Sequence, residues 1–306
     1  MTEHVPVLLP EVLGFLKLHP GIEKVLDCTL GLGGYSEAVL NLFPGARVWG
    51  IDQDEEALYL AGKRLEPFGG RFQPLRGNFG DVDQIAGEFA PFDAILFDIG
   101  VSNLQISEGR RGFSFQSDGP LDMRMDTGLE VSAATIVNRY PEKELAHIFW
   151  KYGEERFSRQ IARGIVLHRQ KHGDITTTGS LVSVIREILP APVQRKMGGH
   201  PARRVFQALR IAVNDELAVL EQGLEQAYRL CRNGSIVVVV SYHSLEDRIV
   251  KNSFRDRHKE GLAKILTRRP VIPSEEEVEQ NYKARSAKLR TMIIETREGK
   301  EVEGKW

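Results

Sequence analysis

The stretch Asp27-Cys28-Thr29-Leu30-Gly31-Leu32-Gly33-Gly34-Tyr35-Ser36 decides the fold. It follows the apolar pair Val25-Leu26 and leads into the apolar-periodic Ala38-Val39-Leu40. That order predicts a strand, a glycine-rich turn and a helix. Without Cβ atoms, Gly31, Gly33 and Gly34 let the backbone turn tightly and approach a ligand closely. Such a turn at a helix N-terminus suits a nucleotide-like cofactor. Two further apolar runs end in carboxylates. Val48-Trp49-Gly50-Ile51-Asp52 ends about 20 residues past the glycines, the spacing at which a doubly wound sheet sets an acid against a ribose hydroxyl. Phe92-Asp93-Ala94-Ile95-Leu96-Phe97-Asp98 is the next run. Parallel strands ending in Asp27, Asp52 and Asp98 would line three carboxylates along the edge where open α/β sheets bind ligands.

Working outward, Pro10 to Leu18 predicts a short amphipathic helix before the first strand. Helices are expected from Ser36 to about Phe43 and from Glu55 to Glu66, each stopped by a proline. The strand that follows, Arg71 to Arg76, contains Pro74. A proline cannot donate to a ladder, so this strand belongs at an edge. Phe79 just beyond it could cover a purine base or pack in the core, and the residues alone leave both open. After Asp98 the pattern changes. Residues 109–126 read as irregular and mobile, and from Pro141 to about Leu189 the periodicity is helical with no strand pattern. The expected organisation is a sheet domain of residues 1–105 and 213–306, interrupted by a helical domain of residues 106–212. A long helix is expected from Pro201, ended by Asn233-Gly234. A valine-rich fifth strand, Ser235 to Ser241, suits a sheet buried on both faces. Ser244-Leu245-Glu246-Asp247 resembles a capping box opening another helix. Two closing strands follow, and His243 reads as a loop residue near the substrate edge.

Composition narrows the class. The 306 residues carry a net charge of −1, so no global field calls for a polyanion. Cys28 and Cys231, the only cysteines, make neither a zinc site nor a disulfide framework, which fits a reducing cytosol. No apolar run is long enough to span a bilayer, and no metal is expected. Positive charge is local. Residues 188–214 hold Arg195, Lys196, Arg203, Arg204 and Arg210 without an acid, and residues 281–294 hold Lys283, Arg285, Lys288 and Arg290 without one. Arg110-Arg111 makes a third cluster. Three clusters without local counter-charge favour a polyanionic substrate.

The turn discriminates between cofactors. A dinucleotide fingerprint wants G-x-G-x-x-G, and here Ser36 stands where the third glycine would pack helix on strand beside a pyrophosphate. Its absence, with the two strands after the fifth, points to S-adenosylmethionine, and a nicotinamide oxidoreductase is the rival. If an exocyclic base amine is the methyl acceptor, Asp98 or a carbonyl beside it can accept its N–H and concentrate charge on the nitrogen. Asp98-Ile99-Gly100-Val101 stands where amine methyltransferases often carry Asp-Pro-Pro-Tyr, without the prolines and tyrosine.

Several longer strings resemble one family. They are the glycine-turn string, Asp98-Ile99-Gly100-Val101-Ser102, Arg111-Gly112-Phe113-Ser114-Phe115, Gly119 to Asp126, Phe206-Gln207-Ala208-Leu209-Arg210-Ile211, Ser244 to Lys251 and Ala284 to Arg290. Over nearly the whole chain they are similar to the RsmH (MraW) family. The resemblance implies an α/β fold, the Rossmann-like sheet of class I S-adenosylmethionine-dependent methyltransferases with an inserted helical domain. It implies a bacterial cytoplasmic enzyme that methylates the N4 amine of one cytidine in the decoding region of small-subunit ribosomal RNA. The partner is that RNA or the assembled small subunit, and the oligomeric state stays open, a homodimer included. Cofactor contacts carry over to Gly33, Gly34, Tyr35, Asp52, Phe79, Asp98 and Gln105, with Asp98 also catalytic. RNA contacts are expected at Arg110, Arg111, Arg203, Arg204, Arg285 and Lys288. Tyr35 stands where the family usually has histidine, and Asn103-Leu104 replaces a common Ser-Pro.

Overall fold

The computed structural model describes residues 5–100 and 109–295, with the side chain of Arg110 also left out. The chain divides into two compact units, Met1–Gly100 with Leu217–Trp306, and Val101–Glu216.

The first unit is built on a seven-stranded sheet in the order β3-β2-β1-β4-β5-β7-β6. Its strands are β1 Lys24–Asp27, β2 Arg47–Asp52, β3 Phe72–Arg76, β4 Phe92–Asp98, β5 Cys231–Ser241, β6 Ala263–Ile265 and β7 Lys288–Ile294. The first five run parallel, and β7 lies antiparallel to β5 and β6. β3 is the edge strand, as Pro74 requires. Alternate side chains of the central strands enter two apolar layers, because successive strand residues point to opposite faces. Val25, Val48, Leu96, Val238 and Val240 join one layer. Here they meet α1 (Leu9–Leu16), α2 (Gly34–Leu42) and α3 (Glu55–Leu65) through Leu16, Val39 and Leu65. Leu26, Ile95, Phe97, Val237 and Val239 join the other layer. There they meet α4 (Val82–Ala86) through Val82 and Ala86. Covering both faces explains why the strands read as continuous apolar runs.

The second unit is helical: α5 Ala133–Arg139, α6 Glu142–Gly153, α7 Ser158–His172, α8 Thr178–Ile188, α9 Ala191–Lys196 and α10 Arg203–Asn214. Its core gathers Ile136, Phe149, Ile161, Ile165, Leu181, Ile185, Phe206 and Leu209. Gly153 is packed so closely on α10 that a Cβ there would come within 2.5 Å of the Arg204 carbonyl oxygen. The segment before α5 is irregular but not loose. Leu121 and Met123 are buried, and the Asn214 side chain ties the Met125 N–H and the Met123 carbonyl at 2.7 and 2.8 Å. The expected mobility of residues 109–126 is therefore corrected for this part: two apolar anchors and one amide clamp fix it.

Three element boundaries also differ from expectation. The long helix after Pro201 is two, α10 and α11 (Glu216–Arg229), because Asp215 adopts a left-handed conformation with φ 48° between them. Asn233-Gly234 does not cap it. Those residues lie inside β5, where the register against β4 shifts between Phe92 and Ala94 and Gly234 takes φ 88°. The helix after β5, α12 (Ser244–Lys259), is capped by His243 rather than Ser244, and Glu246 completes the box. The remaining helix is α13 Glu275–Gln280. Among the described residues no helix is long and apolar enough to cross a membrane.

Candidate active site

β1, β2 and β4 lie side by side and parallel, and each ends in an acid, so Asp27, Asp52 and Asp98 share one edge of the sheet. Asp27 is buried, accepting from the Ser36 hydroxyl at 2.7 Å and the Thr29 N–H at 3.2 Å. Burial pushes its carboxyl up to about 6, against those two hydrogen bonds and with help from the Asp52 charge. Asp52 accepts from the Gly31 N–H and the Asp54 N–H, both at 2.9 Å. Desolvation still raises it above the usual carboxylate range. Asp98 is held at its backbone, whose N–H donates to the Thr29 hydroxyl at 2.6 Å, and at Oδ1, which accepts from the Tyr242 hydroxyl at 2.7 Å. No hydrogen bond reaches its Oδ2 among the described residues. Enclosure pushes Asp98 up to about 7. The Tyr242 hydrogen bond opposes that rise, and the charges of Asp27 and Glu246 add to it.

The glycine turn closes over this edge. Gly33 is the N-cap of α2 at φ 77°, a conformation costing a side chain roughly 1–2 kcal/mol. No side chain caps α2, so the N–H groups of its first turn, including those of Gly34 and Tyr35, point out as donors at the positive end of the helix dipole. Gly34 is required for another reason: a Cβ there would lie 2.7 Å from the ring of Pro6. At Tyr35 only the backbone faces the turn, because its ring is in the core and its hydroxyl donates to the Val7 carbonyl. Phe79 is half-buried, edge-on to Phe97 with ring centroids 5.7 Å apart, and seated against Gly223. Gln105 lies outside the described residues, as does the Arg110 side chain.

Comparison with known proteins decides what this edge belongs to. The model of the MraW methylase family matches residues 1–295. The chain belongs to the MraW methylase family. That family consists of S-adenosylmethionine-dependent methyltransferases, and the sheet is their Rossmann-like one. A relative named ribosomal RNA small subunit methyltransferase H, from Carboxydothermus hydrogenoformans, is 48% identical over 304 residues, 94% of this chain and 96% of that one. The protein of the same name from Symbiobacterium thermophilum is 46% identical over 308 residues, 95% and 96% of the two chains. A solved rRNA methylase from Streptococcus thermophilus aligns at 10% identity with a TM-score of 0.44, covering 96% of this chain and 99% of that one.

In this MraW methylase the site fits its cofactor by charge. Asp27 and Asp98 are enclosed and each is raised partly by neighbouring acids, a setting that suits a cation. A sulfonium is a cation. The uncapped turn of α2 supplies donors, and Asp52 an acceptor.

The basic residues are less uniform than the sequence implies. Arg285 is exposed, lies 5.8 Å from the Tyr282 ring centroid and has no carboxylate partner among the described residues. Lys288 and Arg290, however, share Asp247 at 3.3 and 2.6 Å, so the second cluster does have a counter-charge, brought in from α12. In the helical unit Arg203 is exposed, and Arg204 donates to the Glu154 carbonyl at 3.0 Å. Arg210 is paired with Glu216 through two bonds of 2.7 Å, so it is not a free charge. The Arg111 guanidinium donates to the carbonyls of Arg124 and Met125 and ties the irregular segment together.

Sequence reasoning missed Tyr242. Its bond to Asp98 spans 144 positions, so no local spacing reveals it. The available signal was its place: it directly follows the valine-rich strand and so must emerge at the same edge. His243, read as a loop residue, is the helix cap, with the Glu246 N–H donating to its Nδ1 at 3.3 Å.

Proposed function

We propose that this protein transfers a methyl group from S-adenosylmethionine to the exocyclic N4 amine of a cytidine in the decoding region of small-subunit ribosomal RNA. The observation that carries the reading is Asp98: an enclosed carboxylate at the ligand edge, fixed through its N–H and Oδ1, with Oδ2 left for a donor. The names of the 48% and 46% identical relatives support the RNA class.

Gly33, Gly34, Tyr35 and Asp52 would hold the cofactor, the first three by backbone and Asp52 by its carboxylate toward the ribose. Phe79 would border the adenine with its exposed edge. Bound S-adenosylmethionine supplies an electrophilic methyl on a sulfonium. A cytosine amine is a poor nucleophile because its lone pair is delocalised into the ring. Asp98 would accept one N–H of that amine and draw the lone pair back onto nitrogen. Methylation would leave the nitrogen positive with a proton to lose, for which Asp98 would be the acceptor. Holding nucleophile and methyl in line is the larger contribution, worth ~7–11 kcal/mol in well-oriented systems.

The helical unit would act as the RNA-recognition domain. Arg203, Arg204 and Arg285 would contact phosphates, with Lys288 a weaker contributor because Asp247 already holds it. Such an enzyme works in the cytoplasm, where its substrate is assembled. The test uses S-adenosylmethionine labelled at the methyl group with small subunits lacking the modification, and with the naked RNA alongside. Label mapped to N4 of one decoding-region cytidine is the expected result. Label on a carbon, on a ribose or at no nucleotide would overturn it.

A further inference from the structure

Asp98 closes β4 and Tyr242 follows the last residue of β5, its neighbour in the sheet, where Asp98 pairs with Val240. The Tyr242 ring lies against Gly100, where a Cβ would come within 3.3 Å of it. Its backbone is fixed too. The N–H groups of Tyr242 and His243 both donate to Oε2 of Glu246, at 2.7 and 3.1 Å, within the box that opens α12. The phenol is therefore aimed by a strand on one side and a capped helix on the other. It reaches Oδ1 of Asp98 and leaves Oδ2 without a described partner.

We infer that Tyr242 is a positioning residue for methyl transfer: its phenol holds Oδ1 of Asp98 so that Oδ2 faces the acceptor amine as an ionised carboxylate. The inference rests on the function proposed above and extends it to a residue 144 positions from the carboxylate it serves. The charges around Asp98 make the phenol necessary. Asp27 from β1 and Glu246 from α12 both disfavour ionisation, as does enclosure. The Tyr35 phenol on α2 is buried and neutral, and its hydroxyl donates elsewhere. Among the described groups acting on Asp98, the Tyr242 hydroxyl alone favours the ionised form. Burial and the Asp98 charge push the Tyr242 phenol well above its ordinary range, so it stays a donor across the working pH. Removing it would raise Asp98 further, and a protonated carboxyl is a poor acceptor for an amine N–H.

Tyr242→Phe keeps the ring on Gly100 and removes only the donor. Two measurements on the full chain separate this inference from the reading beneath it. The first is a carbon-13 carboxyl titration of Asp98, assigned with Asp98→Asn, without substrate. Tyr242→Phe is expected to move its midpoint upward by about one unit. The second is the pH–rate profile of methyl transfer to small subunits lacking the modification. The acid limb should move to higher pH, so that transfer falls nearly tenfold at about pH 6 and returns to within about twofold at about pH 8.5. A bound sulfonium lowers both limbs but not their separation. An Asp98 titration unchanged by the substitution, or a loss equal at every pH, overturns the positioning role. Absence of transfer by the unaltered chain overturns the proposed function instead, and is read in a different assay from the titration.

Discussion

In the proposed reaction Asp98 carries opposed demands: it would have to be enclosed to act on an amine without competition from water, yet ionised to accept its N–H. With its carboxyl pushed up to about 7, it sits where small changes of environment decide its charge. Asp98→Asn should lower methyl transfer by about 10²–10⁴-fold, the usual range for a lost acid–base group, while calorimetry still detects cofactor binding. Wild-type turnover in that variant would remove Asp98 from the chemistry. Asp27, raised to about 6, adds a pH dependence to binding. Both acids are protonated at about pH 5 and largely ionised at about pH 8, so a cation gains attraction as pH rises through that window. Affinity for S-adenosylmethionine should therefore climb more steeply with pH than affinity for the neutral thioether S-adenosylhomocysteine. Parallel calorimetric titrations check this, and equal slopes would contradict it. The same raised carboxyls destabilise the fold as pH rises. The folded state retains protons that the unfolded state has lost above about pH 4, so their stabilising effect is complete below that value and lost through about pH 7.

At the scale of elements, the strand-ending acids and the edge proline were legible because strand polarity and ladder bonding constrain them locally. The turn was legible for the same reason. Gly33 at φ 77° has a Leu65 methyl 3.0 Å from where its Cβ would be. Gly33→Ala should cost about 1–2 kcal/mol in denaturant unfolding and weaken cofactor binding with it. Unchanged stability would refute the strain argument. What stayed hidden depended on distant partners or on one unusual dihedral. Val213 and Leu217 keep helical spacing across Asp215, so no apolar pattern marks the break at φ 48°. Asn233-Gly234 carries an honest turn signal, but the chain uses it for a bulge within β5 rather than a helix end. Tyr242 and Asp247 gain their roles only when β4, β5 and β7 are assembled.

For the whole molecule, a net charge of −1 means that any RNA affinity would have to come from the few cations without a carboxylate partner among the described residues. Counting charges along the sequence overstates them, because Arg210 meets Glu216 while Lys288 and Arg290 meet Asp247. Arg285→Ala and Arg203→Ala should each weaken RNA binding and reduce the slope of log affinity against log salt by about one. Lys288→Ala should change that slope less, since removing it also frees Asp247. Filter-binding titrations at several salt concentrations check the ranking, and the reverse order would mean that Asp247 yields Lys288 to RNA.

The distance along the chain between β4 and β5 has a consequence for biogenesis. Four strands are complete once Asp98 has been made, in the order β3-β2-β1-β4, but the strand that must lie beside β4 begins only at Cys231. At 5–20 residues per second, the intervening stretch of about 130 residues takes roughly 7–26 s to synthesise. Throughout that interval the nascent polypeptide presents Phe92–Asp98, wholly apolar apart from its two acids, as a bare hydrogen-bonding margin. Chaperone capture during translation should therefore concentrate on β4, and chains released before Cys231 should aggregate through it.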